Sequence, residues 1–72
     1  MYTVHCRDAE TAFSTPLAKK YLAEEFALRF VMRNRERNPH AEVRDKRGNV
    51  VARFRWDAAL KAPTSLPEPT LA

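Results

Sequence analysis

Nine of the chain's thirteen Lys and Arg residues fall between positions 29 and 56: Arg29, Arg33, Arg35, Arg37, Arg44, Lys46, Arg47, Arg53 and Arg55. Only Glu36, Glu42 and Asp45 oppose them, leaving six positive charges in that stretch against +4 for the whole chain. Eight of the nine are arginines, whose planar fork pairs in bidentate fashion with phosphate or carboxylate. The chemistry on offer is therefore recognition of anions, either the phosphates of a nucleic acid or the acidic surface of a protein.

Other chemistries lack their residues. Cys6 is the only cysteine, and with His5 and His40 it forms no Cys-x-x-Cys or His-x-x-x-His clip, so no metal site is expected. Neighbouring strand residues point to opposite faces, which also denies His5 and Cys6 a nucleophile–base pairing. One glycine cannot build a phosphate-cradling loop. Glu24 and Glu25, 100° apart on a helix, cannot face each other across a cleft as acid and base. The expectation is a non-enzymatic binding protein with no cofactor.

Seventy-two residues suffice for one small domain, and a chain of this size buries only about 60% of its unfolded surface. A lone cysteine fits a reducing compartment. No apolar run exceeds three residues, far short of the ~20 that cross a bilayer. A soluble, cytoplasmic protein that does not engage a membrane is expected.

The elements that must position the arginines follow from periodicity. Tyr2, Val4 and Cys6 alternate with Thr3, His5 and Arg7 as in a half-buried strand. Thr15-Pro16 has the form of a helix start, and the good helix formers from Pro16 to Arg35 run uninterrupted until Asn38-Pro39. Residues 41–45 and 50–56 flank Lys46-Arg47-Gly48-Asn49 as a hairpin in which Gly48 supplies φ > 0. The sequence thus predicts an α+β fold, a single β-α-β-β domain over residues 1–62. One long helix covers one face of a three-stranded antiparallel sheet of order 1-3-2. Residues 63–72, with three prolines, read as a flexible tail. Val50, Ala52, Phe54 and Trp56 should face the helix, and Val51, Arg53 and Arg55 the open side.

At 100° per residue the helix carries two apolar stripes, Leu17, Tyr21, Leu28, Val31 and Met32 in one and Leu22, Phe26 and Phe30, with Ala18, Ala23 and Ala27 nearby, in the other. Either both merge into one broad core face, or the first packs on the sheet and the second is an interface. The interface reading makes Leu22, Phe26, Phe30, Arg29 and Arg33 partner-binding residues and allows a homodimer through that stripe. The phosphate or acidic-surface contacts are then Arg35, Arg37, Arg44, Lys46, Arg47, Arg53 and Arg55.

A short chain of β-α-β-β order with a charged surface and the hairpin Glu42-Val43-Arg44-Asp45-Lys46-Arg47-Gly48-Asn49-Val50-Val51 resembles small phage and prophage proteins, among them the anti-CRISPR proteins. The resemblance covers residues 2 to 56. It implies an inhibitor, acting in a host cell's cytoplasm, that blocks a macromolecular complex by occupying a protein or nucleic-acid-binding surface. Many such proteins are acidic DNA mimics, whereas this chain is basic. The alternative is a duplex-DNA-binding protein that contacts phosphates through its hairpin and helix-end arginines.

Overall fold

The computed structural model describes residues 1–66. It contains β1 (Tyr2–Arg7), β2 (Ala12–Leu17), α1 (Lys20–Arg33), β3 (His40–Arg44), β4 (Val50–Asp57) and β5 (Ala62–Leu66), with a 3-10 turn at Arg35–Arg37. The five strands form one antiparallel sheet in the order β2-β1-β3-β4-β5. The α+β class and the single helix stand, but the expected three-stranded sheet of order 1-3-2 does not.

The difference begins at Asp8, whose Oδ1 accepts from the amides of Glu10 and Thr11, each at 2.8 Å, while its own N–H donates to the Thr11 carbonyl. This turn reverses the chain into β2, so Thr15-Pro16 lies in a strand rather than starting the helix. The Asp8–Thr11 bond sets the alternation of the ladder, which turns the main chain of Ala12, Ser14 and Pro16 away from β1. Pro16 therefore lacks its N–H where no ladder bond would have formed, the place a strand tolerates proline. The helix starts later, behind Lys19 as N-cap without a side-chain cap bond.

Because β2 reverses the chain, the crossover is β2–α1–β3. β1 lies between those two strands and pairs antiparallel with both. A second aspartate turn adds the last strand. Asp57 Oδ1 accepts from Ala59 and Leu60 at 2.9 and 3.2 Å, Lys61 takes φ 52°, and Ala62–Leu66 folds back on β4. Residues 63 to 66, expected in the tail, thus belong to the sheet. Positions 67 to 72 of that tail lie outside the described residues.

The core joins Val4, Cys6, Ala41, Val43 and Phe54 of the sheet to Ala23, Ala27, Phe30 and Val31 of α1. The helix rides on its alanines: Ala23 and Ala27 are fully buried, and their small side chains let it settle close to the strands. Both apolar stripes consequently flank the line of contact instead of lying on opposite sides of the helix. Tyr21 and Met32, expected against the sheet, are 63% and 50% exposed. Phe30, expected at an interface, is buried, and Phe26 and Leu28 pack partly against the core. Of Leu22, Phe26 and Phe30, Leu22 is exposed, Phe26 half-buried and Phe30 buried.

The register of β4 sends Phe54 into the core and leaves Arg53 and Arg55 on the far side, as expected. A bulge corrects two residues: Val50, expected toward the helix, pairs with Arg44 of the open face. Val43 pairs with Ala52 and Arg44 with Val50, which leaves Val51 unpaired, and Val51 packs against the core rather than on the open face.

Candidate anion-binding face of the sheet

The sheet face opposite the helix carries the site. Cross-strand pairing builds it in rows, with His5 of β1, Glu42 of β3 and Arg53 of β4 in one and Arg7, His40 and Arg55 in the next. Thr3 and Arg44 lie opposite each other beyond the first row. Strands are about 4.8 Å apart, so Arg7 and Arg55 flank His40 at roughly 10 Å from each other. His5, Arg7, His40, Glu42, Arg44 and Arg53, with Ser14 of β2 but without Thr3 or Arg55, line a shallow depression of about 710 Å³.

Four guanidinium groups, Arg7, Arg44, Arg53 and Arg55, share this face, and among the described residues Glu42 is the carboxylate in ion contact with them. Arg44 Nε and Nη2 both lie 2.6 Å from Glu42 Oε1. Arg53 Nε stands 3.5 Å from Glu42 Oε2, an ion contact without hydrogen-bond alignment, and that nitrogen is buried with no other partner among the described residues. Glu42 thus holds two of the arginines in place. Among the described residues Arg7 and Arg55 have no acidic partner.

The aspartates serve turns, and among the described residues none forms an ion pair with the arginines of this face. Asp45 repeats the device of Asp8 and Asp57, its Oδ1 accepting from Arg47 and Asn49 at 2.9 and 3.0 Å around Gly48, which has φ 85° as expected. Amide hydrogen bonds hold the carboxyls of Asp8 and Asp45 below the ordinary value of 3.8. Among the glutamates, Glu10 pairs with Arg37, Glu24 with Lys20 and Glu25 with Arg29.

His40 has its pKa lowered from 6.5, chiefly by burial and further by the charges of Arg7 and Arg55. It is neutral at pH 7, able both to donate and to accept a hydrogen bond beside two cations. Cys6 faces the helix, and burial pushes its thiol up to about 11, so it keeps its proton. Among the described residues, no three His, Cys, Asp or Glu side chains gather as a metal site, and no helix is long and apolar enough to cross a membrane.

The family models, the curated proteins and the solved structures contain no match to this chain. Its site must therefore be read from its own geometry.

The arginines singled out by sequence fall into separate groups. Arg44, Arg53 and Arg55 meet on the open face, Lys46 and Arg47 form the exposed β3–β4 turn, and Arg35 and Arg37 occupy the 3-10 turn. Arg29, Arg33, Phe26 and Phe30 line a second cleft of about 380 Å³ with Arg37 and Phe13 of β2; Leu22 is exposed and is not part of its lining. There the Phe13 ring meets Phe26 and Phe30 edge-on, with centroids 6.3 and 5.6 Å away. Sequence reasoning placed Arg7 on the polar side without counting it in the site, and it missed His40 there. The signal for Arg7 was present in the Thr3-His5-Arg7 alternation; the expected order set β1 directly beside β4, whereas β3 lies between them and puts His40 between Arg7 and Arg55.

Proposed function

We propose that this protein is a non-enzymatic binding module that grips the phosphates of a nucleic acid through the open face of its sheet. The observation that carries the reading is the row Arg7–His40–Arg55, in which two guanidinium groups without acidic partners among the described residues flank a neutral histidine. Arg53 and Arg44, braced by Glu42, extend the same charged surface, and the exposed Lys46 and Arg47 add to it at one end. The face carries neither Phe, Tyr nor Trp on β1, β3 or β4 to stack bases, so contacts fall on the backbone and sequence preference is weak. Titration of fluorescent duplex DNA tests this. The Arg7→Glu/Arg55→Glu variant should lose binding and melt like the wild type, and undiminished binding by that variant would refute it.

A second reading keeps the inhibitor that the likeness to phage proteins implies, with a protein as its target. It is favoured by Phe13, 45% exposed in a cleft flanked by Arg29 and Arg33. An aromatic anchor ringed by arginines suits a protein interface. Binding through it would resist salt and be lost in Phe13→Ala, whereas phosphate binding weakens steeply with salt and survives that change.

A further inference from the structure

We propose that two copies of this chain join edge to edge through β2, making one continuous ten-stranded sheet. Sheet edges in soluble proteins are ordinarily blunted by charge, bulges or proline, because their unpaired amides and carbonyls template further pairing. β2, Ala12–Leu17, ends the sheet with no charged side chain and with Pro16 as its one blunting residue. Its outward main chain offers the N–H groups of Ala12 and Ser14 and the carbonyls of Ala12, Ser14 and Pro16, by the alternation that the Asp8–Thr11 bond fixes.

That set is complementary to itself. With a two-fold axis at Ser14, the Ser14 amide of each copy donates to the Ser14 carbonyl of the other. Ala12 then stands opposite Pro16 of the second copy, its N–H directed at a carbonyl whose residue has no N–H to return. The missing proline donor therefore does not interrupt the pairing, and an isologous contact of this kind closes at a dimer. The open-face side chains that meet, alanine, serine and proline, are small and uncharged, so two chains of net charge +4 approach where neither is charged. On the helix side Phe13, 45% exposed in the single chain, comes opposite Thr15 of the second copy and is covered.

The other edge does not offer this. The same alternation carried across the sheet turns Pro63 and Ser65 of β5 outward, leaving a single donor between them. Pairing through β2 sets the two helices on one side and joins the two cationic faces on the other.

Light scattering across a concentration series, without nucleic acid, tests the dimer independently of phosphate binding. The wild type should move toward twice the 8.3 kDa chain mass as concentration rises. Ser14→Pro removes the central donors while sparing the bonds to β1, and Ser14→Lys sets two like charges at the axis. Both should remain folded monomers by circular dichroism, and if the proline variant unfolds, the lysine variant decides. A wild type that stays monomeric into the millimolar range overturns the proposal, as does a dimer that survives Ser14→Lys.

Discussion

Phe13 of β2 meets Phe30 of α1 edge-on, with ring centroids 5.6 Å apart. The contact ties the edge strand to the helix and explains why Phe30 belongs to the core. Replacing Phe30 by alanine should cost about 3–5 kcal/mol. Domains of this size have only some 5 kcal/mol or more to lose, so the variant should be largely unfolded at 37 °C. Chemical denaturation measures the loss, and a cost below about 1 kcal/mol would contradict the placement.

Ala23 and Ala27, both fully buried, set how closely the helix approaches the strands. Ala27→Leu keeps a good helix former but must force α1 away from the sheet. It should destabilise by about 1–3 kcal/mol, read from the denaturation midpoint, and a neutral or stabilising effect would show room that the packing denies.

These alanines mark where the sequence was legible and where it was not. Alternation located β1, β3 and β4, and Gly48 located the turn between β3 and β4. Strand order was not legible, because it depends on β2, and Thr15-Pro16 satisfied the rules for a helix start as well as those for an edge strand. β5 was hidden in the same way by Pro63, whose missing amide also faces outward. The helix face was misread because Ala23 and Ala27 were grouped with the stripe expected at an interface, whereas the contact with the sheet runs along them. Arg53 and Arg55 were placed correctly since the alternation of β4 is fixed by Phe54. Their neighbours were not, since Glu42 and His40 come between them and β1 only once β3 is central.

Cys6 should be inert in the folded protein. Burial raises its pKa to about 11, so at pH 8 the thiolate is scarce and the sulfur is covered. Iodoacetamide should label it only after unfolding, and rapid labelling of the native protein would mean that β1 is displaced from the core.

Stability should fall in acid through the turns. Asp8 and Asp45 have folded pKa values below 3.8, so their contribution is complete above that value and is lost as the pH drops through the lowered ones. Asp45→Asn should flatten the part of the acid-unfolding profile below pH 4 that Asp45 supplies, and a profile unchanged by the substitution would remove its carboxylate from the account.

His40 should titrate below 6.5 in the free protein, followed by its imidazole NMR signals. Arg7→Ala/Arg55→Ala should raise the value without restoring it fully, because burial is the larger cause. The sign for stability follows: it is complete above 6.5 and declines as the pH falls from there through the lowered value. No movement of the His40 titration in the double variant would separate the three side chains.

The salt dependence of duplex DNA binding by the wild type and by Arg7→Ala/Arg55→Ala tests the phosphate grip most directly. Each phosphate contact adds about one to the slope of log affinity against log salt, so the double variant should bind more weakly and show a slope shallower by about two. Equal slopes for the two proteins would contradict a phosphate-binding role for the row Arg7–His40–Arg55.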